Sequence, residues 1–328
     1  KINVIRADST CIDSAAATSA AEGLVSQGVT AIMGADCSGV TGAILSNVAV
    51  PNGVPMISPS ATSPGLTTAK DNGLFFRTAP SDARGGEVLA DITADRVSSV
   101  AITYVNTDYG VGLADVYEAA AIARGIEVTA KTAHEGDKAD YSAEVGVLSA
   151  AGGDALAVIG YLDQGGNQII QGSLDSGAFD TFVLSDGMIG DSLTDTFGSD
   201  IDGSFGSMPG SLGAGAQKFK AYAEANGVNP SVYVGESYDA AALIVLAMAY
   251  GGSDDSATVA ANIMKVANGP GTKIYAGELA KGLRLASQGF AVDYDGATDV
   301  NFTDVGEAFG AFIEKGISGG SFTDVAQR

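Results

Sequence analysis

The chain has 328 residues, 46% of them hydrophobic, and carries 39 acidic against 17 basic residues for a formal net charge of −22. That length holds two separate cores, that apolar fraction excludes a disordered chain, and that charge excludes nucleic acid and anionic membrane surfaces as partners. No apolar run reaches the roughly 18 residues of a membrane-spanning helix.

Lys1 opens directly into 2–6, which reads as a strand, so the start reads as processed or cut. Residues 14–27 read as a helix stopped by Gly28, 29–33 as a strand, 41–50 as a helix and 54–57 as a strand. A polar loop leads to 74–78, and Ser81-Asp82 reads as the cap of a helix through Arg96. Strands at 100–105, 126–130, 155–159, 182–184 and 204–208 then alternate with helices at 110–124, 141–151 and 166–176. The last third reads as helices at 215–226, 238–250, 258–267 and 278–288, with a strand at 308–313. Strands alternating with helices predict an α/β fold with parallel sheets flanked by helices on both faces. The rhythm runs once over 1–79 and again over 80–204, which predicts two similar lobes.

Two turns of small hydroxyl residues stand out. Gly34-Ala35-Asp36-Cys37-Ser38-Gly39-Val40-Thr41 follows one apolar run, and Ser58-Pro59-Ser60-Ala61-Thr62-Ser63 follows the next. In a parallel sheet such turns lie at the carboxyl ends of strands, where ligands bind. Backbone N–H groups and hydroxyls there suit a small anion such as a carboxylate. Capping of helices by the same hydroxyls is the plainer alternative.

Catalytic chemistry finds little support. The only histidine is His134, so a serine–histidine triad has no second candidate. Gly235-Glu236-Ser237-Tyr238-Asp239 lacks the final glycine of a nucleophile elbow, and Gly110-Val111-Gly112 lacks the full dinucleotide fingerprint. Two cysteines and one histidine fall short of a zinc site. Cys11 and Cys37 are read as a disulfide of an exported protein, with two buried free thiols as the alternative.

At this point the residues resemble a known family. Gly-Val-Thr-Ala-Ile-Met-Gly at 28–34, Pro-Met-Ile-Ser-Pro-Ser-Ala-Thr at 55–62, Phe76-Arg77-Thr78, Asp108-Tyr109-Gly110, Tyr238-Asp239-Ala240-Ala241 and Tyr294-Asp295-Gly296-Ala297 occur in order along the chain. The set is similar to the amino-acid receptors of bacterial ABC importers, of the leucine/isoleucine/valine-binding type. The resemblance implies a type I periplasmic binding protein fold: two Rossmann-like lobes joined by a three-crossover hinge. Lobe one is expected over 1–79 and 210–305, and lobe two over 80–208 and 307–328. Against the family pattern the sequence starts at the second strand, with the first strand and helix missing.

The resemblance further implies a periplasmic, monomeric receptor without cofactor, metal or enzyme activity. It would bind an amino acid or related small carboxylate in the cleft between hinged lobes and deliver it to a membrane ABC permease. A ligand-sensing domain of a receptor or regulator with the same fold is the alternative. By resemblance, Cys11 and Cys37 form the family's disulfide. Ser38 and Thr62 would take the ligand carboxylate, with Ser60 and Ala61 supplying main-chain groups. Tyr109 would close over the ligand, and Asp186 would pair with its ammonium. Tyr161 would line the side-chain pocket, with Leu162 or Asp163 as alternatives for that place. Helix capping is the plainer role for Asp186, and a loop aromatic the plainer one for Tyr109.

Overall fold

The computed structural model describes residues 2–328; Lys1, expected to lead straight into a strand, lies outside the described residues. The chain forms two compact units. One comprises the chain up to Ser81 together with Gly210–Gly310, and the other comprises Asp82–Pro209 with Ala311–Arg328. Among the described residues no helix is long and apolar enough to cross a membrane.

In the first unit, strands Ile32–Met33, Met56–Ser58 and Phe75–Arg77 form a parallel sheet in that order, with Ile32 opposite Met56 and Ser58 opposite Arg77. Side chains alternate between faces, as strand geometry requires. Met56 and Phe75 pack with Ala17, Val40, Ile44 and Val48, whereas Ile57 and Phe76 pack with Leu243, Leu246 and Ile263. Asp13 caps helix Ser14–Ser26 by accepting from the N–H groups of Ala15 and Ala16. A second parallel pair, Thr272–Tyr275 with Val292–Gly296, completes this unit's strands among the described residues.

Asp239 ties the unit's two late motifs together. It lies on helix Val234–Gly251 and is fully buried. Oδ1 accepts from the Tyr294 hydroxyl and the Ala297 N–H at 2.7 Å each. Oδ2 accepts from the Thr298 N–H at 2.9 Å and its hydroxyl at 2.7 Å. Burial pushes the Asp239 carboxyl up to about 7, against the pull of these donors.

The second unit is a seven-stranded sheet. Its order is Ser321–Gln327, Phe312–Ser318, Phe205–Pro209, Phe182–Leu184, Ala155–Ile159, Ser99–Val105, Glu127–His134. Phe312–Ser318 runs antiparallel to both neighbours, and the five strands beyond it are parallel. Ala155, Ala157 and Ile159 face one core with Leu89, Ile92, Leu113 and Tyr117, and Leu156 and Val158 face the other with Leu148, Ile169 and Ile170. Two buried faces explain why these strands read as continuous apolar runs.

Several expected elements move. Residues 2–6 form no strand: they pair with no strand among the described residues and are mostly exposed, so their apolar side chains have nothing to pack on. Helix Ser38–Ile44 starts three residues earlier than the sequence predicts, after the extended Cys37, and continues helically to Asn52. Burial of Val40 there overrides the weak helix preference of Ser38 and Gly39. The strand expected at 308–313 is Phe312–Ser318 instead. Gly310 breaks the run at φ 55°, where a Cβ would meet the Pro80 ring at 2.7 Å. Arg77 bridges Glu307 and Phe302 bridges Ala308, so residues 306–310 pack with the first unit.

Candidate functional site

In the second unit the chain passes from strand Ser99–Val105 to Glu127–His134 on one side, then returns to Ala155–Ile159 on the other. This is a topological switch point, where the loops beyond the carboxyl ends diverge and leave room for a ligand. Tyr109 follows the first of these strands, Tyr161 follows Ala155–Ile159, and Asp186 follows Phe182–Leu184.

The three residues meet. The Tyr109 and Tyr161 rings stack with centroids 4.9 Å apart and an interplanar angle of 25°. The Tyr109 hydroxyl donates to Asp186 Oδ1 at 2.6 Å, lies 3.0 Å from Ser185 Oγ and accepts from the Gly187 N–H at 3.3 Å. Tyr109 and Asp186 are buried, and Tyr161 is half-buried. Burial, reinforced by the Asp186 charge, holds both phenols well above the ordinary range, so neither ionises near neutral pH. Of the alternatives for the pocket position, Leu162 packs toward the opposite core and Asp163 is exposed, while Tyr161 lies against Tyr109. Asp186 and Ser185 line a small recess with Asp82, Leu89, Leu113 and Phe312.

Ser38, Ser60, Ala61 and Thr62 gather in the first unit, at the carboxyl ends of Ile32–Met33 and Met56–Ser58. Hydroxyls cross-link the two turns. Ser58 Oγ donates to Ala35 O at 2.6 Å and accepts from the Ala61 N–H at 3.0 Å. Ser60 Oγ donates to Asp36 O at 3.0 Å, and Ser38 Oγ accepts from the Ser63 N–H at 3.1 Å. Ser60 and Ala61 therefore brace the turn from within. Thr62 differs: it is 1% exposed, and its Oγ1 has no hydrogen-bond partner among the described residues. Leaving a buried hydroxyl unsatisfied costs about 1–3 kcal/mol. The Cys11–Cys37 disulfide, with Cα atoms 5.2 Å apart, anchors the first turn immediately before Ser38.

Arg77, in the sequence only a member of the Phe76-Arg77-Thr78 motif, holds the turn in place. It is 1% exposed at the end of Phe75–Arg77. Nη1 donates to the carbonyls of Ala61 and Ser63 at 3.1 and 2.9 Å, Nη2 donates to Thr67 Oγ1 at 2.9 Å, and Nε donates to Glu307 at 3.0 Å. The guanidinium thus fixes the shape of the Ser60–Thr62 turn from below. The signal was present as a lone cation ending an otherwise apolar strand.

The first set presents hydroxyl and backbone groups, and the second a carboxylate with two stacked phenols. Among the described residues no group of three or more His, Cys, Asp or Glu is placed to hold a metal ion.

A family model described as periplasmic binding protein matches residues 1–279. The chain is 30% identical over 286 residues to the chemotactic signal transduction system substrate-binding protein BasB of Halobacterium salinarum, covering 82% of this chain and 64% of that protein. It is 38% identical over 151 residues to the Leu/Ile/Val-binding protein homolog 3 of Brucella melitensis, covering 45% of this chain and 40% of that one. The chain thus spans less than two-thirds of the length of these relatives. The crystal structure of the leucine-binding protein LivK from Thermotoga maritima shares the fold with a TM-score of 0.78 at 22% identity, over 96% of this chain and 85% of that one.

Proposed function

Because the chain belongs to the periplasmic binding protein family, we propose that it is an extracytoplasmic receptor that binds an α-amino acid and passes it to a membrane permease. Asp186 carries this reading. Its carboxylate is buried beside the stacked tyrosines and oriented by the Tyr109 hydroxyl. An ammonium gains a charge-assisted bond there, whereas a ligand that is only an anion is repelled. The hydroxyl turns of the first unit offer a different chemistry. Thr62 Oγ1 and Ser38 Oγ suit a carboxylate, and Arg77 keeps their turn in shape. The relatives' printed names favour branched aliphatic amino acids as the first class to test. The disulfide favours an oxidising compartment outside the cytoplasm.

The test is calorimetry with L-leucine, L-isoleucine, L-valine and the des-amino acid 4-methyl-2-oxopentanoate. At least one amino acid should bind stoichiometrically and the oxo acid much more weakly. Equal affinity for the oxo acid would remove Asp186 from the reading, and binding of none would remove this ligand class.

The relationship to a chemotactic substrate-binding protein favours a second reading for the partner. There the loaded receptor is presented to a membrane signal transducer instead of a permease. Co-purification of the loaded protein with solubilised permease or transducer separates the two.

A further inference from the structure

We propose that His134, buried at the end of strand Glu127–His134 and against Gly160, is a positioning residue for ligand binding. Together with Tyr141 it forms a platform on which the loop 160–166 is seated. The proposal rests on the reading of Tyr161 and Asp186 as ligand-facing residues.

The loop needs such a support. It runs Gly160-Tyr161-Leu162-Asp163-Gln164-Gly165-Gly166, and glycine at three of seven positions gives it wide conformational freedom. At Gln164 and Gly165 the backbone leaves helical geometry, with Gly165 at φ 92°. Such a segment presents Tyr161 in one place only if its surroundings fix it.

The surroundings do so at both ends. His134 ends strand Glu127–His134 and is 1% exposed. Its Nδ1 lies 2.9 Å from Thr103 Oγ1, which sets the plane of the ring. Tyr141 meets that ring edge-on at 6.1 Å and 82°. The Tyr141 hydroxyl is itself fixed, donating to Glu135 O at 2.8 Å and accepting from the Lys138 N–H at 3.2 Å. Gly160 rests on the imidazole, where a Cβ would lie 3.3 Å from His134 Nε2. Gly165 rests on the phenol, where a Cβ would lie 2.8 Å from the Tyr141 hydroxyl.

Gly160 also transmits its position onward. Its N–H donates to Ser185 Oγ at 3.3 Å, and a Cβ on Gly187 would lie 2.3 Å from its carbonyl oxygen. Moving the imidazole therefore displaces Tyr161 and the turn carrying Asp186 together. Burial lowers the His134 pKa to about 4, so the ring stays neutral under the conditions of the test.

The experiment compares wild type with His134→Ala, His134→Phe and Thr103→Val. It measures calorimetric affinity for L-leucine and amide hydrogen exchange across 160–166. His134→Ala should speed exchange in 160–166 and weaken L-leucine binding by about tenfold, the upper range for a residue acting through others. His134→Phe keeps a ring under Gly160 and should restore affinity to within about threefold. Thr103→Val leaves the imidazole in place but frees its plane, and should speed exchange in 160–166 with little loss of melting temperature. Unchanged exchange in 160–166 for both His134→Ala and Thr103→Val overturns the proposal. So does His134→Phe behaving like His134→Ala. If His134→Ala fails to fold, Thr103→Val and His134→Phe decide. If wild type binds no L-leucine, the proposed ligand class falls, and exchange in 160–166 still decides the role of His134.

Discussion

Glu236 is a buried carboxyl that should make the protein less stable as the pH rises. It lies in the first turn of helix Val234–Gly251 and is 5% exposed, and its backbone carbonyl accepts from the Thr78 hydroxyl at 2.9 Å. Burial first, and then the Asp239 carboxyl one turn along, push its pKa from the ordinary 4.5 up to about 8. Below pH 4.5 the group is protonated in both folded and unfolded chains and costs nothing. Between pH 4.5 and 8 the folded protein keeps a proton that the unfolded chain gives up, so stability falls as pH rises. At about 1.4 kcal/mol per pH unit, that window amounts to a loss of about 5 kcal/mol at most by pH 8. Glu236→Gln keeps the size and polarity but cannot ionise. It should match wild type near pH 4.5 and exceed it by several kcal/mol at pH 8, on the scale of the preceding estimate. Urea denaturation of both proteins at half-unit steps from pH 4.5 to 8.5 measures this directly. Two stability curves that run parallel across the range would refute the reasoning, since Glu236 would then ionise alike in folded and unfolded chains.

Asp239→Asn should do the opposite of Glu236→Gln. An amide must turn its NH2 toward the N–H and hydroxyl donors of Thr298 or toward those of Tyr294 and Ala297, so thermal melts should show a loss of about 2–4 kcal/mol. Arg77→Met leaves Glu307 without its buried cation and strips the Ala61 and Ser63 carbonyls of their donor. It should cost about 3–5 kcal/mol in denaturant titration and weaken ligand binding as the turn loosens. Asp186→Asn should weaken amino-acid binding by about 2–3 kcal/mol in calorimetry, with the melting temperature nearly unchanged. The same variant should bind the des-amino acid at least as well as wild type does, and undiminished amino-acid affinity would place the ammonium elsewhere.

The parallel α/β character was legible because buried strands are short apolar runs closed by turn residues. Ala155–Ile159 and Phe182–Leu184 fall at their predicted bounds for that reason. The elements that escaped carry no such signal. Thr272–Tyr275 mixes exposed polar residues with a single buried Ile274, and Ser321–Gln327 is largely exposed, held by hairpin pairing with Phe312–Ser318. Residues 2–6 show the converse failure. Their alternation is strand-like, but a strand exists only where another backbone accepts its hydrogen bonds.

The candidate site divides along the same line. Turn chemistry local to a strand end is written in sequence and marks the two hydroxyl turns, while the family resemblance is what singles out Ser38, Thr62, Tyr109 and Asp186. What fixes those groups is remote. Arg77 reaches the carbonyls of Ala61 and Ser63 from 16 and 14 residues away, and Glu307 meets it from 230 residues away. His134 supports a loop that begins at Gly160. No local pattern distinguishes Glu236 and Asp239, three positions apart on one helix, from two solvated acids of an acidic protein. Only the arrival of Tyr294, Ala297 and Thr298 makes one of them a four-donor clamp. The other receives burial without comparable donors, and its proton is the consequence. Long-range packing therefore decides which charges act as structure and which remain surface, and in this chain it places the supporting residues of the site among the buried charged and polar few.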